Sequence, residues 1–396
     1  MQAHVLERLV RAHAVRAEEG LARKLRCVDS VDGIRVHIDG KALRNFASND
    51  YLGLAQHPAL REALVRGAKQ WGVGSGAAHL LGGHREAHAA LEEKLARWLG
   101  RDRALLFSTG YMANLGVAQT LLGADDLCVE DKLNHASLID AARLTGCELK
   151  RYVHADVESA QRQLETREGM PALLATDGVF SMDGDVAPLA SLSALCAERS
   201  AAFFVDDAHG LGVLGPEGAG SVAAAGLTQA EVPILMVTLG KALGVAGAVV
   251  AGSAALIDGL VQFARTYVYT TAMPPSLAAA ASAAVDIARF EHWRREKLGR
   301  LIAHFRHGAA ERGIELIASR TPIQPVLVGA SDATTQASAQ LEDEGFFVPS
   351  IRPPTVAQGK SRLRVTLSAL HEEADIEQLL DALARAVAQS RRRRKD

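Results

Sequence analysis

Near the middle of the chain, residues 237–244 read Val237-Thr238-Leu239-Gly240-Lys241-Ala242-Leu243-Gly244. The apolar residues 234–237 predict a buried strand, because the run is short, unbroken and followed by Thr and Gly. Lys241 therefore lies just beyond a strand end, between a glycine and small apolar residues. Such a lysine either extends its amine to solvent or, when buried, has a lowered pKa and becomes a nucleophile towards a carbonyl.

The composition is that of an ordinary soluble globular protein. The 396 residues are 48 % hydrophobic and 23 % charged, and the formal net charge is −2. This balance gives no electrostatic basis for binding nucleic acid or an anionic membrane. The charged N-terminus lacks the apolar core of a signal peptide. The sequence therefore predicts a cytoplasmic protein that has neither a nucleic acid nor a membrane as its partner.

The cysteines and the basic C-terminal residues do not indicate a special function. The four cysteines, at positions 27, 128, 147 and 196, show no C-x-x-C spacing. This argues against a disulfide framework and against a zinc site, so no metal is expected. The basic residues 391–395 are interpreted as a solvated tail, with an arm for a nucleic acid or protein partner as the alternative.

Between residues 88 and 285, short apolar runs alternate with helical patterns. The predicted strands lie at 104–107, 127–129, 172–175, 202–205, 234–237 and 248–251. This alternation predicts an α/β fold with a mostly parallel sheet that is covered by helices on both faces. After Pro275 an Ala-rich helical pattern continues through the charged residues 289–300. We expect an N-terminal arm and hairpin over 1–45, a large domain over 46–285 and a smaller α+β C-terminal domain over 286–396.

Polar residues follow several predicted strands. Ligands of parallel sheets bind beyond the carboxyl ends of the strands, so these residues are candidates for a site. The run 202–205 leads into Asp206, and a buried carboxylate needs a cation or several hydrogen-bond donors. The alternatives are that Asp206 caps a turn and that His209 is an ordinary loop residue. A metal site formed by Asp206 and His209 is a further alternative, but it would lack other His or Cys ligands at a useful spacing.

Three more predicted strands lead into polar loops. Gly110 and Tyr111 open a helical pattern, where free N–H groups and the helix dipole bind phosphate, although an ordinary N-cap is the alternative. His135 can stack on a planar ring or remain solvated. Ser181 lies in a loop rich in hydrogen-bonding groups, which can also be a simple turn-rich connection.

These features together match the parts that a pyridoxal phosphate enzyme needs. Such an enzyme holds its cofactor as a Schiff base with a lysine, pairs the pyridine nitrogen with an acidic residue and binds the phosphate in a cup. Lys241, Asp206 and the helix start at Gly110 provide one candidate for each part.

Six motifs, in chain order, resemble a known family. They are Asn49-Asp50-Tyr51-Leu52-Gly53-Leu54, Gly74-Ser75-Gly76, Asn134-His135-Ala136-Ser137-Leu138, Phe180-Ser181-Met182-Asp183-Gly184-Asp185, Asp206-Asp207-Ala208-His209-Gly210 and Thr238-Leu239-Gly240-Lys241. The sequence is similar to the α-oxoamine synthases from about residue 23 to the last predicted helix. These are fold-type-I pyridoxal phosphate transferases that join an amino acid to an acyl thioester with loss of carbon dioxide.

The resemblance implies roles around the cofactor. Lys241 would carry the cofactor and exchange the proton at the α-carbon of the amino acid. Asp206 would pair with the ring nitrogen, and His209 would bond the ring hydroxyl. His135 would stack on the ring as a catalytic residue in contact with substrate, and Ser181 would lie beside it.

The resemblance also implies contacts to the cofactor phosphate. Gly110, Tyr111 and Thr238 would contact it within one subunit. Thr270 or Thr271 would reach the phosphate of the neighbouring subunit, which implies a homodimer with shared active sites.

Further residues are assigned to the substrates by the same resemblance. Arg364 would clamp the amino acid carboxylate, a bidentate task that suits arginine, and Asn49 is a second substrate contact. Arg23, Arg352 and Thr355 would lie on the acyl side.

Residues 351–356, Ile351-Arg352-Pro353-Pro354-Thr355-Val356, are most similar to the branch of the family that serves biotin biosynthesis. That branch implies L-alanine and a pimeloyl thioester, carried by CoA or by acyl carrier protein, as substrates. A glycine-using branch with a short acyl thioester and a non-catalytic binding protein on the same fold are the alternatives. The chain departs from the family after Gly76, where Ala77-Ala78-His79 replaces a usual Gly and Ser.

Overall fold

The computed structural model describes residues 5–167 and 169–392, with side chains described as far as residue 389. The tail predicted at 391–395 therefore lies outside the described side chains. In the described chain the helices are α1 Val5–Glu18, α2 Pro58–Trp71, α3 Glu86–Leu99, α4 Gly110–Leu121, α5 Ala136–Thr145, α6 Val157–Leu164, α7 Leu189–Glu198, α8 Ser221–Ala224, α9 Ala254–Phe263, α10 Arg265–Val268, α11 Pro275–Phe290, α12 His292–Glu311, α13 Ser331–Asp343 and α14 Glu373–Arg392.

The strands of the described chain form three sheets. Their bounds are β1 Val28–Asp32, β2 Arg35–Ile38, β3 Lys41–Asn45, β4 Arg103–Phe107, β5 Leu127–Asp131, β6 Glu148–Tyr152, β7 Ala172–Asp177, β8 Ala202–Asp206, β9 Ile234–Thr238, β10 Ala248–Gly252, β11 Ile323–Gly329, β12 Phe346–Phe347, β13 Ser350–Ile351 and β14 Ser361–Thr366.

The central sheet has seven strands in the order β4-β10-β9-β8-β7-β5-β6. Pairs among β5 to β9 are parallel, while β10 runs antiparallel to both β4 and β9. The carboxyl ends of β4, β5, β6, β7, β8 and β9 therefore lie at one edge of the sheet. The predicted α/β class with a mostly parallel sheet is confirmed.

Alternate residues of the buried strands enter two different hydrophobic clusters. Phe203 and Val205 of β8 pack into the cluster that holds residues of α3, α7 and α11. Phe204, between them, packs into the cluster that holds residues of α4, α5 and α9. Side chains alternate across a strand, so both faces of the sheet are covered, as the near-continuous apolar runs predict.

Two smaller sheets flank the central one. The order β1-β2-β3-β12 joins the N-terminal hairpin, which turns at Asp39 and Gly40, to a strand from the C-terminal part. The second sheet, β11-β14-β13, is antiparallel. The domain boundaries at 45 and 285 stay a prediction. Helix α1 buries no residue, and none of the described helices is long and apolar enough to cross a membrane.

The sequence prediction of a helix continuing through 289–300 is wrong at one point. Glu291 leaves the helical conformation and separates α11 from α12. The guanidinium of Arg295 donates to the carbonyl oxygens of Ala288 and Arg289, which lose their helical acceptor role at the end of α11. Side-chain donors can satisfy carbonyl groups at a helix end. The hydrogen bonds from Arg295 therefore offset the backbone hydrogen bonds that are lost where α11 ends.

Helices α2 and α11 pack so closely that Gly67 has no room for a side chain. A Cβ at Gly67 would lie 2.8 Å from the Cα of Ser276. Gly67→Ala should therefore destabilise the protein by about 1–3 kcal/mol, because the overpacking exceeds the gain in helix propensity. Urea unfolding followed by circular dichroism at fixed protein concentration measures the change.

Gly299→Ala in α12 is the matched control. A Cβ there meets no atom within 4 Å, so this variant should be stabilised by up to about 1 kcal/mol. A Gly67→Ala protein as stable as Gly299→Ala would contradict the packing account.

Candidate active site

A cavity of about 190 Å³ lies at the edge of the central sheet where the parallel strands end. Apart from Met236 within β9, each wall residue belongs to a strand end or to the loop or helix that follows it. The cavity brings together Gly110, Tyr111, His135, Ser181, Asp206, His209, Thr238 and Lys241, all of which the sequence motifs single out. Residues separated by more than a hundred positions thus share one pocket, as expected for the carboxyl edge of a parallel sheet.

Asp206 ends β8 as a buried carboxylate. One of its oxygens accepts a hydrogen bond from Asn114 Nδ2 at 2.8 Å, and the other accepts from the N–H of Ala208 at 3.0 Å. Both donors are neutral, and no cation among the described side chains forms an ion pair with Asp206. A buried carboxylate held in this way favours a cationic partner inside the cavity.

A chain of hydrogen bonds connects Asp206 to His135. Asn114 Nδ2 also donates to Ser137 Oγ at 2.8 Å, and Ser137 Oγ is 2.7 Å from His135 Nδ1. His135 is the N-cap of α5, which fixes its backbone at the cavity wall. Desolvation at the cavity wall lowers the pKa of His135, which favours the neutral ring, a form suited to stack on a planar group.

Asp177 is a second buried carboxylate at the same edge. It ends β7 and pairs across the sheet with Asp206 of β8. Its oxygens accept from the backbone N–H of His135 at 3.2 and 3.3 Å. Burial, reinforced by the negative charge of Asp206, raises the pKa of Asp177 well above its ordinary value. The two neighbouring carboxylates give this part of the cavity a strong preference for a cation.

Lys241 lies in the turn that follows β9 and is largely buried. Gly244 closes this turn with a positive φ of 66°, and a Cβ on it would lie 2.4 Å from the backbone nitrogen of Ala55. Burial lowers the pKa of Lys241 to about 8, although Asp206 and Asp177 oppose the shift. A larger share of the amine is then unprotonated near neutral pH than for an exposed lysine, which favours attack on a carbonyl.

The N-terminus of α4 opens into the cavity. Thr109 is its N-cap, and the Thr109 hydroxyl accepts from the N–H of Met112 at 3.1 Å. Gly110 and Tyr111 occupy the first turn, where N–H groups have no acceptor within the helix. Together with the helix dipole and the neighbouring hydroxyl of Thr238, they form a place for an anion such as a phosphate.

A buried network connects His209 with Arg364. Tyr51 Oη is 2.6 Å from His209 Nδ1 and donates to Asn49 Oδ1 at 3.2 Å. Arg364 Nη2 donates to the same Asn49 oxygen at 3.2 Å, and its Nε donates to the carbonyl of Ser181 at 2.7 Å. Burial and the nearby Lys241 charge lower the pKa of His209, so it is neutral. Asn49 and Arg364, both predicted as site residues, do not line the cavity themselves. They are connected by these hydrogen bonds to the wall residues His209 and Ser181.

Five predicted residues lie away from the cavity wall. Arg23 and Thr355 are exposed, and Arg352 Nη1 donates to the carbonyl of Gly20 at 2.8 Å. Thr271 pairs with Ala78 in an isolated bridge, and Thr270 precedes it. Within one chain, none of the five lines the cavity that holds Lys241.

Three residues at or behind the cavity wall were given no role by the sequence analysis. Asn114, Ser137 and Asp177 line or support the cavity, but each acts through contacts with distant parts of the chain. A buried asparagine within the otherwise apolar pattern of α4 is the one available signal, because such a side chain needs specific partners.

The comparisons with known proteins agree with this geometry. The family described as aminotransferase class I and II matches residues 41–383. The 8-amino-7-oxononanoate synthase of Xanthomonas axonopodis pv. citri is 54 % identical over 381 residues, covering 96 % of this chain and 95 % of the relative. The chain belongs to the 8-amino-7-oxononanoate synthase family, within aminotransferase class I and II.

Solved structures of related enzymes share the fold of this chain. A serine palmitoyltransferase structure with pyridoxal phosphate has a TM-score of 0.92 and 27 % identity, covering 98 % of this chain and 99 % of the other. An 8-amino-7-oxononanoate synthase from Francisella tularensis has a TM-score of 0.78 and 30 % identity, covering 88 % and 98 %. Enzymes with different names thus share this fold, so the fold alone does not identify the branch of the family. The 54 % sequence identity with an 8-amino-7-oxononanoate synthase does.

The cavity of this 8-amino-7-oxononanoate synthase family member fits pyridoxal phosphate, the cofactor of the family. The open helix start of α4 suits its phosphate, and Asp206, bonded only to neutral donors, suits a protonated ring nitrogen. Lys241 provides an amine for the aldehyde, and none of the described side chains forms an ion pair with it. The donor set therefore complements the cofactor at each of its polar ends.

His154 supports the loop that carries Ser181. It follows β6 and bonds Asp131 at 3.0 Å through Nδ1 and Asp185 at 2.8 Å through Nε2. Burial favours the neutral ring, but the two carboxylates outweigh it and raise the pKa of His154 to about 10. The imidazolium ties the end of β5 to the loop between Phe180 and Asp185.

Replacing His154 by Gln should destabilise the protein by about 1–3 kcal/mol near pH 6, because a hydrogen-bonded charge is lost. Since the folded pKa is raised from 6.5 to about 10, the native contribution is complete below pH 6.5 and fades as the pH rises through 10. The difference between wild type and variant should shrink between pH 8 and pH 10 in urea unfolding. His307→Gln, on the exposed face of α12, is the control, and a pH-independent difference would refute the assignment.

Proposed function

We propose that the protein condenses L-alanine with a pimeloyl thioester, releasing carbon dioxide and the thiol carrier and forming 8-amino-7-oxononanoate for biotin biosynthesis. The observation that carries the choice of substrates is the 54 % identity with 8-amino-7-oxononanoate synthases over nearly the whole chain. The cavity around Lys241 and Asp206 supports the type of chemistry. The free thiols at Cys128, Cys147 and Cys196 suit a reducing cytoplasm.

Lys241 is proposed as the residue that attaches the cofactor and then moves the proton at the α-carbon. When bound, pyridoxal phosphate stabilises the negative charge that develops at that carbon. Asp206 would keep the ring nitrogen protonated, and Asn114 and the N–H of Ala208 hold the carboxylate in place for this task. The lowered pKa of Lys241, about 8, places its amine in the range where it both accepts and returns a proton near neutral pH.

His135 and His209 are proposed to position the ring. His135 would stack on the ring, and the bond to Ser137 fixes the orientation of its imidazole. His209 would bond the ring hydroxyl, and its Nδ1 is held by Tyr51. Gly110, Tyr111 and Thr238 would hold the phosphate.

Arg364 is proposed to bind the carboxylate of alanine. It is buried, and its bonded acceptors are Ser181 O, Asn49 Oδ1 and Thr366 Oγ1, none of which is anionic. A buried guanidinium without a carboxylate partner favours an anionic ligand. Its planar fork suits a carboxylate better than a lysine ammonium does.

The acyl chain is proposed to enter past Arg23, Arg352 and Thr355. Arg352 holds the carbonyl of Gly20 and so connects the acyl side to the N-terminal arm. Arg23 is exposed in the same arm. These cations suit an anionic acyl group or an anionic thioester carrier, which can be CoA or acyl carrier protein.

A homodimer is proposed to complete the site. Large apolar side chains are exposed beside Thr270 and Thr271: Leu80 is 50 %, Leu81 81 % and Tyr269 73 % exposed. Exposed apolar groups clustered in this way indicate a protein interface. A second copy that covers them would also bring Thr270 and Thr271 towards the neighbouring phosphate.

A steady-state assay with paired substrates tests the proposed function. Purified protein with pyridoxal phosphate should use L-alanine with pimeloyl-CoA at least about tenfold better in kcat/KM than glycine with acetyl-CoA or L-serine with palmitoyl-CoA. A preference for glycine or serine would contradict the proposed function and would place the protein in another branch of the family. Pimeloyl-acyl carrier protein in place of pimeloyl-CoA identifies the carrier.

Arg364→Lys should lower kcat/KM for alanine by about 10–100-fold, the equivalent of losing a hydrogen bond to a charged group. The KM for the thioester should change little, because Arg364 is not assigned to the acyl side. Arg300→Lys, on the exposed surface of α12, provides the control. Equal effects on the two substrates would argue against a specific carboxylate contact.

Leu81→Asp should weaken the dimer, because it buries a charge in the proposed interface. Met170→Asp is the control, because Met170 lies just before β7, at the opposite edge of the sheet. Sedimentation velocity should show a larger monomer fraction for Leu81→Asp than for this control. Identical dimer fractions in both variants would contradict the assigned interface.

A further inference from the structure

Three histidines outside the active-site cavity bring their side chains together. His79 opens the short turn His79–Leu81, His84 follows in the loop, and His88 lies in the first turn of α3. The ring centroids are 5.3, 5.3 and 5.4 Å apart, close to an equilateral triangle. One nitrogen from each ring can be chosen so that all three lie within 4.8 Å of one another.

The outward nitrogens of two of the rings face acceptors. His88 Nε2–H donates to the carbonyl of Met273 at 2.8 Å, which leaves the lone pair on Nδ1. His84 Nε2 lies 3.6 Å from a carboxylate oxygen of Glu92. Histidines that bind metals usually direct their second nitrogen to a carbonyl or carboxylate, which fixes the tautomer and the ring orientation. His84 and His88 thus have the surroundings of metal ligands.

The inward nitrogens are close enough to share one ion. The Nδ1 atoms of His79 and His84 are 3.0 Å apart and share a hydrogen bond, which the ion would replace. Two nitrogen ligands on a tetrahedral zinc ion are separated by about 3.3 Å, so a small rotation of either ring suffices.

We propose that His79, His84 and His88 form a binding site for a divalent transition-metal ion with a preference for nitrogen ligands, such as Zn²⁺. Imidazole suits zinc, copper and nickel ions, whereas magnesium and calcium prefer oxygen. His88 Nδ1 accepts the N–H of Arg85 at 2.8 Å, and coordination exchanges this bond for the metal. His84 is partly exposed, so the ion has a path from solvent and a position for a water ligand.

The ion would connect three segments of the chain. His79 follows Ala78, which pairs with Thr271, and the N–H of Ala272 donates to the carbonyl of Ala77 at 3.0 Å. The carbonyl of Met273 is already bonded to His88. Binding would therefore fix the turn at His79 against α3 and against the segment 271–273. The site does not depend on the proposed reaction, since none of the three histidines lines the cavity of Lys241.

Cobalt titration of the tag-free holoenzyme tests the site. After treatment with a chelator and its removal, Co²⁺ should bind with one ion per chain and give the intense visible d–d absorption of a four-coordinate ion, which Zn²⁺ abolishes by displacement. His84→Ala should weaken binding by at least about 100-fold, since changes to the supporting residues alone cost about 10–100-fold. His307→Gln, an exposed histidine of α12, should bind like the wild type.

His84→Gln serves as a second variant that keeps a polar side chain of similar volume. Circular dichroism verifies that each variant is folded before titration. The proposal is overturned if the wild type shows no four-coordinate signal, if both His84 variants bind like the wild type, or if His307→Gln loses binding equally. A sulfur-to-cobalt charge-transfer band would also overturn it, because it would identify a cysteine as ligand.

Discussion

The buried carboxylate of Asp206 is the constraint on which the site depends. It ends a strand between two other parallel strands, where removal from water is costly, and its hydrogen bonds from described residues come from the neutral donors Asn114 Nδ2 and the N–H of Ala208. The cavity in front of it therefore favours a cation. The same edge presents Lys241, whose amine is driven towards its neutral form by burial. One half of the site thus stabilises positive charge on a ligand, while the other half supplies an amine of which a larger share is unprotonated near neutral pH than for an exposed lysine.

This arrangement needs a rigid frame, which the neighbouring Asp207 supplies. Its carboxylate accepts from the N–H of Ser221 at 2.7 Å and from the Ser221 hydroxyl at 2.6 Å. Glycines at 178, 210 and 220 surround it, and a Cβ on Gly210 or Gly220 would lie 2.1 Å from a carboxylate oxygen. Burial raises the pKa of Asp207 to about 7. Asp207 thus holds the loop that carries Ala208 and His209 through its bonds to Ser221, and it does not itself line the cavity.

Most of the site could be predicted from the sequence because parallel strands place their ends together. Lys241, Asp206, His135 and the helix start at Gly110 each follow a recognisable apolar run, so local patterns identify them. Asn114 and Asp206 are 92 positions apart and meet only through folding, so a local pattern does not connect them. The edge strand β6 was missed for a related reason. It is half-buried and rich in charged residues, so it lacks the apolar run that marks the central strands.

The attachment point of the cofactor tests the account most directly. The protein is loaded with pyridoxal phosphate, reduced with borohydride, digested and mapped by mass spectrometry. The account predicts a phosphopyridoxyl group on the peptide that contains Lys241, and its loss in the Lys241→Ala variant. Stoichiometric labelling of any other lysine, or of Lys241→Ala to the wild-type extent, would contradict it.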